Sequence, residues 1–452
     1  MPKENKQRQK GFTMVEALVG VFLLAVLSLG IYATYAFGLK ISTQNRLRTE
    51  ATAIAEKKIE AIRAMPYENI GVQGGIPPGP LLATESETGN GTAYTVRTSV
   101  RYIDDLLDDT FPQDPAPTDY KQIEIRVDWP TNMEKRVILN TIISPPRVET
   151  NLGAGVLIIN AVNSEGSPIA DCEVHIKNSE VGPAIDLTED TDSNGSLTLP
   201  GAPASSSNSY EVTLSKTGYE GAQTYPLYPT SFFNPIDAHI AVGEGAITSK
   251  VFVIDLTSRQ NLHFADIYGT NLPNLTFSLT GGRIIGTTVD PAPQPVYLYN
   301  ESALTSNADG RWESPVIGKG PYAFSISDSI YELITTSLSS PWSIGPNSTT
   351  DIEVVLGNKT ENILVVSVKE IGGETPVVGA TVKISDPLGA LFQESVTDIN
   401  GVAYFPKPED PPKVLNPDEN YNIDVTKDGY NPGHEISTVT GLTRREVIIS
   451  KQ

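Results

Sequence analysis

Residues 10–39 constrain this chain more than any other stretch. Lys10-Gly11-Phe12-Thr13-Met14-Val15-Glu16 leads into Ala17–Leu39, 23 residues without a formal charge. A helix needs about 20 apolar residues to cross the hydrocarbon core of a bilayer, so the run is long enough to span. Lys3, Lys6, Arg8 and Lys10 stand before it against Glu4. Such a basic flank stays on the cytoplasmic side, so the distal chain is expected to be exported. A secretory signal is cut after its apolar core at an A-x-A-like site, whereas here the plausible cut, after Gly11, precedes the core. The helix would therefore remain in the mature protein.

Gly11 before the cut, Phe12 as first mature residue and Glu16 at mature position five resemble the signature of the type IV pilins and their pseudopilin relatives. The resemblance implies that a membrane prepilin peptidase cleaves between Gly11 and Phe12, that Phe12 is N-methylated, and that subunits assemble with other pilin subunits through their helices. Glu16 has a physical rationale beside it. A carboxylate in an apolar spanning segment costs a few kcal/mol and points to a partner. The expected partner is the freed amino group of Phe12 on a neighbouring subunit, since burying the two together leaves one pair instead of two lone charges. Many major pilins carry a proline within the apolar run; this chain has none between Phe12 and Leu39.

Beyond Leu39 the pattern changes without a break. Leu47, Ala51, Ile54, Ala55, Ile59 and Ile62 recur at steps of three and four among charged residues, which predicts an amphipathic continuation. Pro66 ends it by pushing Met65 out of helical geometry. The helix is thus expected over 12–64, with 12–39 transmembrane and 1–11 as leader. A globular head is expected over 65–150, built on alternating runs at Ala93–Ile103, Lys121–Trp129 and Lys135–Ile143. Ile123, Ile125, Val127 and Trp129 share the face that would cover the amphipathic half-helix. The head connection carries Asp104, Asp105, Asp108, Asp109 and Asp119. Calcium takes clustered oxygens of this kind, but no D-x-D-x-D-G register is present, and a solvated loop is the expectation.

Past Pro145-Pro146 the chain repeats. Tyr210 to Tyr219, Tyr322 to Tyr331 and Tyr421 to Tyr430 share one spacing, and a turn precedes each: Asp192-Ser-Asn-Gly195, Asn307-Ala-Asp-Gly310 and Asp398-Ile-Asn-Gly401. Pro200, Pro315 and Pro406 stand five residues after those glycines. Short alternating strands without helix-period segments predict three tandem all-β sandwiches over 151–256, 257–358 (a divergent copy) and 359–452. The middle copy's strands are expected at Leu275–Leu279 and Val296–Leu298. The fold class expected overall is an α+β head on a long helix, followed by Ig-like or transthyretin-like sandwiches. The pattern resembles carboxypeptidase regulatory-like domains, over about 300 residues.

Charge narrows the partners. The chain carries −21 in all. Its first 64 residues hold ten Lys or Arg against five Glu, which leaves −26 for the rest. That exterior repels phosphate backbones, so no nucleic acid is expected for the distal domains. Cys172 alone excludes an intrachain disulfide and sits in a strand-like run with Val174 and Ile176, as a small core residue. His175, His239, His263 and His434 are too scattered for a ligand pair, and no nucleophile elbow or phosphate loop occurs. The D-x-N-G turns are expected to be tight hairpins rather than metal loops, and the tyrosines core rather than sugar platforms. Neither enzyme activity nor a cofactor is expected. The resulting expectation is a minor pilin-like filament subunit at the cell surface, displaying its sandwiches to an extracellular protein or glycan. A secretion-system pseudopilin and a membrane-tethered binding protein that never polymerises are the alternatives.

Overall fold

The computed structural model of the chain describes residues 14–105, 118–130, 136–146, 153–373, 375–409 and 413–452. One helix, α1 (Met14–Arg63), runs 50 residues without interruption. Lacking an internal proline, it has nothing to break its hydrogen-bond ladder. It closes where Met65 N–H donates to Ile62 O at 3.0 Å, one residue before Pro66.

The lower half of α1 covers a four-stranded antiparallel meander: β1 (Thr84–Gly89), β2 (Thr92–Ile103), β3 (Tyr120–Asp128) and β4 (Arg136–Ile143). All six residues of the expected stripe are buried, and they share a core with Tyr94, Ile123, Ile125, Val127 and Trp129. Each buried isoleucine there contributes on the order of 2 kcal/mol. β1 is an addition to the three runs expected for the head, and it meets β2 at Asn90-Gly91. Both residues have positive φ, +42° and +81°, as a two-residue type I′ hairpin requires. The strand Thr-Glu-Ser-Glu-Thr-Gly has no apolar side chain to betray it; it is held to α1 by the pairs Lys57–Glu87 at 2.8 Å and Lys58–Glu85. Beneath the head, buried Lys121 donates to Tyr67 O at 2.8 Å and Ile70 O at 2.7 Å, and burial lowers its pKa to about 8.

Three two-sheet sandwiches follow. The first contains β5 (Ala154–Val162), β6 (Glu173–Asn178), β7 (Ile185–Asp190), β8 (Ser196–Pro203), β9 (Glu211–Ser215) and β10 (Ala222–Gln223); its loop lends β11 (Phe233–Pro235) to the next sandwich, and β12 (Ile247–Val253) closes it. The second contains β13 (Arg259–Asp266), β14 (Thr276–Thr288), β15 (Pro295–Thr305), β16 (Arg311–Glu313), β17 (Gly320–Ile326), β18 (Tyr331–Thr336), β19 (Trp342–Ile344) and β20 (Thr349–Asn358). The third contains β21 (Ile363–Glu370), β22 (Thr381–Ser385), β23 (Leu391–Val396), β24 (Val402–Phe405), β25 (Glu419–Thr426), β26 (Gly433–Val439) and β27 (Leu442–Ile449).

One topology recurs in all three. The opening strand (β5, β13, β21) pairs antiparallel with the strand after the D-x-N-G-like turn (β8, β16, β24) and parallel with the closing strand (β12, β20, β27). In the facing sheet β6 pairs β9, β14 pairs β17 and β22 pairs β25. The middle copy therefore opens at β13, ahead of the strands the sequence suggested. Gln260 hid it: this polar residue is wholly buried at an inward position, where its Oε1 accepts from Trp342 Nε1 at 2.8 Å.

The turns between the sheets are arches, since β7 and β8 belong to different sheets, and so do β15 and β16, and β23 and β24. The hairpin reading of those turns is thereby corrected. Only the glycine needs positive φ: +70° at Gly195, +68° at Gly310 and +70° at Gly401. Each glycine lies under the opening strand, where a Cβ would stand 2.5 Å from Ala161 O, 2.8 Å from Phe264 O or 2.7 Å from Val368 O.

The junctions are packed. Ile76 of the head sits in the first sandwich's core, Ser99 donates to Glu189, and Arg126 pairs with Asp190 at 3.5 Å. β11 joins the second sandwich by pairing with β14, and Lys319 meets Asp255 at 3.2 Å. Between the second and third, Ile267, Ile334, Ile363 and Val365 form a small apolar core, and Asn400 Nδ2 donates to Thr336 O at 2.7 Å.

Two outcomes follow from this packing. Gly310→Ala adds overpacking to left-handed strain and is expected to cost about 2 kcal/mol or more, whereas Gly166→Ala, with open space around it, costs nearer 1 kcal/mol. Thermal unfolding of the full chain in detergent reads the difference. Glu189 is raised from 4.5 to about 7, chiefly by burial, with Glu124 and Asp190 adding to it and Ser99 and Arg101 opposing it. Between those values the folded chain holds a proton that the unfolded chain has lost, so this contribution is full in acid and disappears as pH rises through 7. Unfolding temperatures at pH 5 and pH 8 should show that loss, and Glu189→Gln should reduce it.

Candidate functional site

Among the described residues the upper half of α1 has nothing packed against it. Large apolar side chains from Met14 to Ile41 are exposed around the whole circumference, among them Leu18 at 67%, Leu27 at 64% and Ile31 at 70%. A helix apolar on every side needs lipid or other helices around it. Among the described residues it is the one helix long and apolar enough to cross a membrane. Its hydroxyls are compatible with that setting: Ser28 donates to Leu24 O at 2.8 Å and Thr34 to Gly30 O at 2.9 Å, so neither presents an unsatisfied donor to hydrocarbon.

Gly11 and Phe12 lie outside the described residues. Glu16 falls in the first turn of α1. The sequence reading overlooked one detail of this helix. Gly30, Thr34 and Gly38 recur every four residues on one face, and no heavy atom comes within 4 Å of where a Cβ would stand on either glycine. Small residues at that spacing let a second helix approach closely.

The other candidates resolve into structure. Asp108 and Asp109 lie outside the described residues. Asp119 is buried, not solvated, and its Oδ2 accepts from Asp105 N–H at 2.6 Å. In the three arches the leading side-chain oxygen accepts backbone N–H groups: Asp192 from Asn194 and Ser196, Asn307 from Asp309 and Arg311, Asp398 from Asn400 and Val402. Those oxygens are turn braces. Among the described residues no group of three His, Cys, Asp or Glu is placed to hold a metal.

The leading tyrosines are core. Tyr210, Tyr322 and Tyr421 are buried, and the first two donate to Pro203 O at 2.5 Å and Gly318 O at 2.7 Å. Each histidine has a local partner: Asp186 for His175 at 2.7 Å, Thr224 for His239 at 2.9 Å, Glu353 for His263 at 2.7 Å and Asp424 for His434 at 2.8 Å. Cys172 is wholly buried, and burial raises its thiol to about 11. A thiolate is the reactive form, so Cys172 is inert in the folded chain. A thiol-reactive chromophore at pH 8 should label no cysteine in the native protein and one after denaturation.

Among solved structures, the Bacillus anthracis TIE protein aligns at 12% identity over 82% of this chain and 73% of its own, with a TM-score of 0.20. The Streptococcal ancillary pilin aligns at 11% over 66% and 99%, TM-score 0.19, and the shaft pilin SpaA from Lactobacillus rhamnosus GG at 10% over 43% and 98%, TM-score 0.18. At TM-scores this low none of the three superposes on the chain as a whole. No curated protein sequence matches it. At the other end of the molecule, residues 6–32 match the prokaryotic N-terminal methylation motif, so this is a chain with a pilin-like N-terminus on an apolar helix, followed by β-sandwiches.

Proposed function

We propose that the chain is a minor pilin-like structural subunit of a type IV pilus-type filament. In this reading a prepilin peptidase cuts between Gly11 and Phe12 and the new N-terminus is methylated. Before assembly the chain is a single-pass protein of the cytoplasmic membrane, with its N-terminus inside. It then leaves the bilayer for a bundle of sister helices, where Glu16 pairs with the amino group of Phe12 on a neighbouring subunit. The observation that carries the reading is the continuity of α1. The methylation motif runs without interruption into a helix whose first part is exposed and apolar and whose second part is buried on the head.

The head over 65–150 and the sandwiches over 151–256, 257–358 and 359–452, which we take as carboxypeptidase regulatory-like, then project from the filament. There they serve surface adhesion or interaction with an extracellular protein or glycan. A 300-residue extension on every subunit would crowd lateral packing, which favours a place at the tip.

Sheared surface filaments labelled with an antibody to the sandwiches should carry label at their ends. Retention of all label in the membrane fraction would overturn the reading. Glu16→Ala should leave the fold and membrane insertion intact while abolishing incorporation into filaments.

A further inference from the structure

In every sandwich the first strand and the last strand are neighbours, parallel and in register. β5 and β12 pair over seven residues, Val156↔Ile247 to Val162↔Val253. β13 and β20 pair over eight, Arg259↔Thr349 to Asp266↔Leu356, and β21 and β27 over eight, Ile363↔Leu442 to Glu370↔Ile449. None of the three ladders has a register shift. The opening strand is where the chain enters each sandwich and the closing strand is where it leaves.

That arrangement fixes how tension acts. Pulling on the two ends of a sandwich draws the opening strand one way and the closing strand the other, along their common axis. Evenly spaced parallel hydrogen bonds are then loaded in shear, all together. Antiparallel terminal strands pulled from adjacent ends would open one pair at a time. We propose that the three sandwiches are a load-bearing stalk, each locked against end-to-end tension by its opening and closing strands.

The connectors carry the load from ladder to ladder. Residues 254–258 join β12 to β13, and residues 359–362 join β20 to β21. In the first connector Ile254, Asp255 and Ser258 are buried. Asp255 is held by Ser164 N–H at 3.1 Å, by the Ser164 hydroxyl at 2.9 Å and by Lys319 at 3.2 Å. Those contacts hold the first connector against lengthening before the strands are loaded. The stalk role rests on the filament reading, in which α1 anchors one end and a partner engages the other; the mechanics of the ladders do not.

Two doubly labelled full-length chains test the proposal by single-molecule pulling. Handles on Glu361→Cys and Gln452→Cys load β21 against β27 in shear. Handles on Glu361→Cys and Thr440→Cys pull the same two strands from one end and peel them. These positions are exposed, and native Cys172 is buried and stays unlabelled. The third sandwich should yield at several-fold higher force in the first geometry than in the second. Equal forces, or a weaker shear geometry, would overturn the proposal. Pulling each variant by ligated handles at the chain ends controls for folding, since both must then give the same end-to-end force. Neither outcome depends on cleavage after Gly11, so failure here leaves the filament reading standing, and failure of that reading leaves the ladder mechanics standing.

Discussion

Ala51 and Ala55 have no exposed surface at all, because the backbone of α1 lies directly on β3 and β4. This contact sets the rest of the molecule. It commits residues 47–62 to the head and leaves the large apolar side chains described between Met14 and Ile41, on the same unbroken helix, exposed. A rod that is half core and half exposed must insert its free half into another apolar medium. Because the helix runs unbroken between the halves, whatever holds the upper half also orients the head packed on the lower half.

The distal chain continues that rigidity. At each junction the described residues of the two neighbours pack together. Ile76 from the head is buried in the first sandwich, β11 from the first sandwich is a strand of the second, and Ile334 and Ile363 share a core between the second and third. Gly286 shows how closely the second junction is fitted, since a Cβ there would lie 2.3 Å from the Phe233 ring. The order of strands, with the chain entering and leaving each sandwich on adjacent parallel strands, sends any tension along the axis of the ladders. Glu220, Asp255, Arg283 and Lys319 at the first inter-sandwich junction balance in sign, so this packed boundary buries no uncompensated net charge.

Much of this was legible in the residues. The six-residue stripe of α1 and the inward face of β3 are readable from period alone, since each has an apolar face of fixed spacing, and the places of the three turns are readable from their repeated order. What escaped did so for physical reasons. β1 contains only threonine, serine, glutamate and glycine, and it is held by ion pairs to α1 rather than by burial. β13 carries a buried glutamine where its neighbours carry leucine and phenylalanine. The D-x-N-G-like turns stand where the sequence puts them but are arches and not hairpins, because a sequence does not say whether consecutive strands share a sheet. Asp119, expected in a solvated loop, is buried just ahead of β3: the run that marks β3 is legible from Lys121 on, but a carboxylate's burial is not.

The central claim is that the chain is processed before its apolar helix and keeps that helix. Mass spectrometry of the protein purified from assembled filaments tests it most directly. The account predicts a chain lacking residues 1–11, beginning at Phe12, and heavier by one methyl group at its amino terminus. A chain still carrying Met1–Gly11, or one from which the helix itself has been removed, would contradict it.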